Sequence, residues 1–314
     1  MHGLPADLAA AIFVVLHVPA EGTSALPAIL TRSGQLEAVH PSDCEPVRHG
    51  RIYVAPPDRH LLVHRGFVRV LRGPRENGAR PAVDPLFRTA ARAYGSRVVA
   101  VVLSGNLDDG AAGVLEVKER GGVVVVQDPG EAAFSGMPRN TIEYSRVDHS
   151  RVDHCLTLAD IPKLLVRLSH ESVNRGEPPR DPLGPDRTES QMTAMDEEKA
   201  LGVPSAFVCP ECDGTLWELR DGDLLQFRCR VGHVFSAESA LVAESDALER
   251  ALWTALRSLE ENAGMARRMA RHARERRNDF SAARFDRRTE DLEAHILSLR
   301  QILEKSLSTL SSES

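Results

Sequence analysis

Two groups of side chains in this sequence have the types and spacing to do chemistry. One is a histidine and an aspartate. His17 ends the apolar run in "IFVVLHVP", residues 12–19, and Asp109 lies in "LSGNLDDGAAG", just after a second apolar run. In open parallel sheets, residues at the carboxyl ends of strands line the ligand crevice. A buried carboxylate that accepts from the Nδ1–H of a histidine fixes its tautomer and stabilises the imidazolium. His17 and Asp109 would then form a general base and its orienter. Both residues also have plainer uses: a histidine at a strand end can be a structural hydrogen-bonder, and Asp108 or Asp109 can cap the helix that follows.

The other group is "CPEC" at 209–212 with "FRCRVGH" at 227–233, spaced C-x2-C-x16-C-x3-H. Cys209 and Cys212 make one knuckle and Cys229 with His233 a second, together a Cys3His set for one tetrahedral zinc. Such a set leaves no open coordination position, so the site reads as structural rather than catalytic. Between the knuckles "TLWELRDGDLLQFRC" reads as a β-hairpin with Asp221-Gly222 at its turn. Cys44 and Cys155 stand alone and receive no role. The tandem repeat "SRVDHSRVDH", residues 145–154, contributes His149 and His154 but no third ligand nearby, and reads as a duplication in a surface loop.

The elements that must position these groups alternate along residues 1–170. Strands are expected at 12–16, 51–55, 60–64, 98–103 and 123–126, and helices at 24–32, 84–95, 110–120 and 159–169. The runs "VVAVVL" and "VVVV" are apolar on both faces, the pattern of strands buried inside a parallel sheet. Gly121-Gly122 closes the helix between them, giving a compact crossover unit. The expected organisation is an α/β domain over 1–171, a Pro-, Gly- and charge-rich linker over 172–206, a zinc-ribbon-like module over 207–236, and a helical hairpin or coiled coil over 237–314. In the tail Leu248, Leu252, Ala255, Leu259 and Ala263 follow helical spacing, as do Leu292, Ile296, Leu299 and Leu303, with Asn278-Asp279 between the stripes. Trp253 faces the seam or a partner, and a homodimer through this tail is one expectation. The arginine-rich stretch 267–288 reads as a solvated face.

Composition narrows the classes. The formal net charge of −6 over 314 residues provides no field to recruit nucleic acid or an anionic membrane. There is no apolar run of transmembrane length. "LAAAIFVVL" follows Asp7 and no Lys or Arg, and reads as a core strand rather than a signal peptide. Five cysteines, three of them clustered, favour metal binding in a reducing cytoplasm over a disulfide framework.

Six collinear blocks carry a resemblance: "VVLHVP" (14–19), "IYVAPPDRHLLV" (52–63), "RPAVDPLF" (80–87), "VVLSGNLDDGAAGVLEVKERGG" (101–122), "VVQDP" (125–129) and "FSGMPRNTI" (134–142). Through them residues 1–170 resemble the catalytic domain of the chemotaxis protein-glutamate methylesterase (CheB) family. The resemblance implies a doubly wound, mostly parallel α/β hydrolase acting on methylated chemotaxis-type receptors through a Ser-His-Asp triad, with its histidine at His17 and its aspartate at Asp109. It places an oxyanion donor in the turn Gly105-Asn106, where the family commonly has Met in place of Asn106. It makes "FSGMPRNTI" a pocket-edge loop carrying Met137 and Arg139, or else a plain turn capped by Pro138.

The family's nucleophile sits in a G-x-S-x-G-G loop after the first strand, and the 16 residues before His17 contain no serine. The first strand has no counterpart here either. Ser24 or Thr23 is expected to cap the next helix, and Ser104 to bond locally, so neither Ser24 nor Ser104 stands on a nucleophile turn. Two explanations are open: a start upstream of Met1, which is the expectation adopted, or a remnant domain. They correspond to two functions, a protein-glutamate methylesterase and a non-catalytic signalling adaptor that binds a partner through the ribbon and hairpin.

Overall fold

The computed structural model describes residues 2–146, 152–171, 202–221 and 224–310. By internal packing the chain divides into two compact units, Met1–Ala240 and Leu241–Ser314. The first unit opens with β1 (Ile12–Val14), α1 (Leu26–Arg32), β2 (Glu37–Val39) and β3 (Arg51–Val54), which form a parallel sheet in the order β1-β3-β2. A hairpin of β4 (His60–His64) and β5 (Phe67–Leu71) leads into α2 (Val83–Tyr94). Then follow β6 (Val99–Val102), α3 (Ala111–Glu119), β7 (Val123–Gln127), α4 (Gly136–Arg146), β8 (His154–Leu156) and α5 (Ile161–His170), with a second parallel sheet in the order β6-β7-β8. This is the α/β, doubly wound parallel architecture expected from the sequence.

The two-faced apolar runs explain the core. Val124, Val125 and Val126 of β7 are all fully buried, because helices cover both faces of that sheet. Each such side chain contributes roughly 1.5–3 kcal/mol by leaving water. Tyr53 of β3 is also fully buried, and its hydroxyl is satisfied by donating to the Pro46 carbonyl and accepting the Arg48 N–H. Helices α2 and α3 approach closely at Gly113, where a Cβ would lie 2.6 Å from the Phe87 Cβ and 3.2 Å from the Asp84 backbone. Only glycine permits that approach, which brings the start of α2 beside the start of α3.

The rest of the first unit is an antiparallel sheet, β9 (Val203–Val208), β10 (Thr215–Asp221), β11 (Leu224–Cys229) and β12 (Val234–Ser236), in the order β12-β11-β10-β9. Helix α6 (Ala237–Glu275) starts directly from β12 and is followed by α7 (Asp279–Leu310). In the second unit the two helices pack as a hairpin along Leu256, Ala263, Ile296 and Leu303, flanked by Leu252, Leu259, Leu292 and Leu299. Among the described residues no helix is long and apolar enough to cross a membrane.

Several expectations are corrected. "FSGMPRNTI" is not a loop, because helix α4 starts at Gly136 and Met137 packs into the core. Pro138 falls in the first turn of that helix, where a missing N–H costs nothing. Residues 203–206 are strand rather than linker, and Asp221 still pairs with Leu224, so it ends a strand instead of entering the turn. In α6 the seam passes through Leu256, leaving Leu248 and Ala255 exposed. Of the two places expected for Trp253, the seam is ruled out, because the side chain is exposed and donates from its indole to Glu249. Of the tandem repeat, His154 opens β8 and His149 lies outside the described residues.

Candidate functional site

The loop from the end of β6 to the start of α3 turns through Leu107, whose φ of 61° is the left-handed region that non-glycine residues seldom occupy. It delivers Asp109 into the interior, 1 % exposed. Asp109 does not cap the helix that follows it, because the N-cap of α3 is Gly110 and forms no side-chain cap bond. Its carboxylate caps a different helix. Oδ2 accepts the N–H of Val83 at 2.6 Å and Oδ1 accepts that of Asp84 at 3.2 Å. These are the first two residues of α2, and its N-cap, Ala82, has no side chain to satisfy them.

His17 reaches the same carboxylate from the end of the β1 segment, with Nε2 2.7 Å from Oδ2. The structure thus brings together residues 92 positions apart in sequence. It corrects one detail, since the nitrogen held by the carboxylate is Nε2 and not Nδ1. Among the described residues Nδ1 has no hydrogen-bond partner, and the side chain is 39 % exposed. A fourth donor to Asp109 is the side-chain amide of Asn77, with Nδ2 3.2 Å from Oδ1.

The hydrogen bond and negative charge of Asp109 raise the pKa of His17 against the opposing pull of burial. Burial pushes Asp109 upward, yet the bonds from His17, Val83 and Asp84 prevail and hold its carboxyl below the usual range. Its neighbour Asp84 behaves in the opposite way. Desolvation, followed by the charge on Asp109, pushes Asp84 up to about 8. Asp108, buried and bonded to Ser236, is pushed up to about 6, first by desolvation and then by the charges of Glu238 and Asp109.

The hydroxyls considered from the sequence are engaged locally. Ser24 Oγ accepts the Leu26 N–H at 3.3 Å, although the N-cap of α1 is Ala25. Ser104 Oγ accepts the Phe134 N–H at 2.8 Å, while the Ser104 N–H goes to Gln127. The Gly105 N–H donates to the Phe134 carbonyl, so of the turn Gly105-Asn106 only the Asn106 N–H lacks a backbone partner among the described residues. Arg139 is exposed on α4. Asn77, Asp84 and Ser236 escaped the sequence reading. "NG" at 77–78 signals only a turn, and nothing in the local pattern ties it to residues 32 or 159 positions away.

The four residues of the Cys3His set also converge, with ligand atoms all within 4.8 Å of one another. The Sγ atoms of Cys212 and Cys229 are 3.7 Å apart, and Nδ1 of His233 lies 3.6 Å from Cys209 Sγ and 3.5 Å from Cys229 Sγ. A tetrahedral zinc with ordinary bond lengths sets S···S near about 3.8 Å and S···N near about 3.6 Å. The donor set therefore fits that ion. Each knuckle is closed by a residue in the left-handed region, Asp213 with φ 57° and Gly232 with φ 101°.

A family model described as CheB methylesterase matches residues 1–165. The protein-glutamate methylesterase/protein-glutamine glutaminase 2 of Anaeromyxobacter dehalogenans is 36% identical over 169 residues, 54% of this chain and 48% of that protein. A protein-glutamate methylesterase/protein-glutamine glutaminase 1 of Rhodospirillum rubrum is 43% identical over 136 residues, 42% of this chain and 35% of that protein. The chain spans less than half the length of these two relatives. The crystal structure of the Thermotoga maritima CheB methylesterase catalytic domain is similar at a TM-score of 0.50 and 34% identity, over 52% of this chain and 87% of that one. With the matched model covering more than half of its residues, and with an α/β fold like that of the solved domain, the chain belongs to the CheB methylesterase family.

Proposed function

We propose that this chain belongs to a carboxyl-ester hydrolase that removes methyl esters from glutamates of chemotaxis-type receptors in the cytoplasm. The observation that carries this reading is the 2.7 Å pair of His17 and Asp109, in which a buried carboxylate with four donors fixes a half-buried imidazole. Asp109 holds Nε2, so Nδ1 is the nitrogen that takes the nucleophile's proton and returns it to the departing methanol. The nucleophile, a serine by family resemblance, forms an acyl-enzyme through a tetrahedral oxyanion. Water then releases the glutamate. The Asn106 N–H is the candidate donor to the oxyanion. Zinc on Cys209, Cys212, Cys229 and His233 would supply a cross-link that fixes the ribbon, with no part in the ester chemistry.

The test is methanol release from a methylated chemotaxis receptor by protein expressed from the reading frame that contains this chain. His17→Ala should lower it by about 10⁴-fold or more. Release that persists in this variant removes the assignment. One observation favours the adaptor reading instead: among the described residues no hydroxyl is bonded to His17. The product of that frame would then release no methanol yet still bind a partner through the ribbon or hairpin.

A further inference from the structure

The ribbon and the α/β sheets meet beside Asp109, and one side chain spans the junction. Asn77 stands in a left-handed conformation with φ 51°. The segment 75–77 runs alongside β12: the Asn77 N–H donates to the Val234 carbonyl at 2.7 Å and the Val234 N–H to the Arg75 carbonyl at 3.3 Å. Val234 directly follows the metal ligand His233. The Asn77 side chain is shared between the two parts. Its Oδ1 accepts the N–H of Ser236 at 3.0 Å and the hydroxyl of Ser239 at 3.1 Å, both on the ribbon side. Its Nδ2 donates to Asp84 Oδ2 at 2.9 Å and to Asp109 Oδ1 at 3.2 Å.

The hydroxyl protons run one way through this junction. Ser236 Oγ accepts the Ser239 N–H at 3.0 Å, capping α6, and donates its own proton to Asp108 at 2.8 Å. Ser239 then has its proton for Asn77. Two outer contacts flank the junction, Arg75 with Glu211 at 3.1 Å and Asn140 with Glu238 at 2.7 Å. An amide suits this place better than a carboxylate or an apolar group, because one end must accept from the ribbon while the other donates to two acids. A buried carboxylate oxygen deprived of such a donor would bear the cost of an unmade hydrogen bond.

We propose that Asn77 is a positioning residue through which the metal-loaded ribbon holds Asp109 in place against His17. The proposal rests on the reading of His17 and Asp109 as base and orienter. A metal on the Cys3His set fixes His233, and hence β12 and the first turn of α6. These hold Asn77, and Asn77 holds the outer oxygen of the Asp109 carboxylate. The ribbon is then part of the wall of the hydrolase site, and losing the metal loosens the pair without removing either residue.

The experiment follows the downfield proton of the His17 Nε2–H···Asp109 hydrogen bond by NMR in the full chain. That signal requires no turnover, so absence of esterase activity leaves it informative. Zinc is removed with a chelator and then added back. The expected result is loss of the resonance on stripping, with the α/β signals retained, and its return with zinc. Asn77→Ala should bind zinc as the native chain does and lack the resonance even when loaded. A resonance unchanged between the zinc-free and loaded native chain overturns the proposal, as does its full retention in loaded Asn77→Ala. Should that variant fail to fold, the stripping and refilling of the native chain decides alone. Methanol release absent from the product of the whole reading frame, with a resonance that still answers to zinc, would sink the hydrolase reading and leave the coupling standing.

Discussion

At Asp109 a change of one atom has a definite consequence. Oδ2 receives His17 and the Val83 N–H, while Oδ1 receives Asn77 and the Asp84 N–H. An asparagine there must aim its NH₂ at one of these two donor pairs, so Asp109→Asn opposes donor to donor in either orientation. It should lower methanol release about 10⁴-fold. The pair also shapes stability. Asp109 is held below its unfolded value, so its contribution is present above about pH 4 and lost as pH falls through the folded value. His17 is raised, so its contribution is complete below about pH 6.5 and lost as pH rises through its folded value. Asp84 works the other way. With its carboxyl pushed up to about 8, the native state binds a proton that the unfolded chain has released, and stability falls as pH rises from about 4 to 8. Asp84→Asn should flatten that slope: the difference between urea midpoints at pH 5 and pH 8 shrinks, whatever the variant's absolute stability. A slope equal to that of the native chain would show that Asp84 is ionised in the fold.

Among the elements, the crossing of α2 over α3 is what sets the site, because the start of α2 supplies two of the four donors to Asp109. Gly113→Ala would place a methyl 2.6 Å from the Phe87 Cβ, a position that a rotamer change cannot vacate, and 3.2 Å from the Asp84 backbone. Overpacking of this kind costs about 1–3 kcal/mol. The expected result is a lower urea midpoint together with weaker esterase activity; a variant as stable and active as the native chain would show that the helices separate freely. The strands and helices on either side of this crossing were legible in the sequence because their apolar runs are long and their turns carry glycine, as in "VVAVVL" and "VVVVQDPG". Two of the short elements were not. Strands β2 and β8 have three residues each, too few for any period to show, and β8 lies against the tandem repeat. Helix α4 was hidden by Gly136 and Pro138, which read as loop residues although a first turn accommodates both. His17 and Asp109 could be singled out because each follows a strong strand. Asn77 could not, since its role depends on partners 32 and 159 positions away.

For the molecule as a whole, the question is what lets a segment as short as 203–236 hold a fold. Its interior has few large side chains, chiefly Leu216, Phe227 and Phe235, with the thiols of Cys209 and Cys229 beside them. Modules below about 40 residues rarely bury enough apolar surface to stand without a metal or a disulfide. The candidate metal ligands come in pairs from two knuckles, and the strands between them pair in continuous register from Leu216↔Cys229 to Asp221↔Leu224. One ion held there would tie both ends of the β10–β11 hairpin to the same point. Binding energy of this kind is folding energy, because no preformed site survives in the unfolded segment. The purified chain should hold about one zinc, and Cys209→Ser with Cys212→Ser should lose it. In that double variant the backbone amides of β10 and β11 should exchange with deuterium as if unfolded. Those of β7 should remain protected, because Val124, Val125 and Val126 are buried by helices and owe nothing to the metal. Ribbon amides as slow to exchange without zinc as with it would mean that packing against the α/β sheets is sufficient to fold the module, and the Cys3His cluster would then need another purpose.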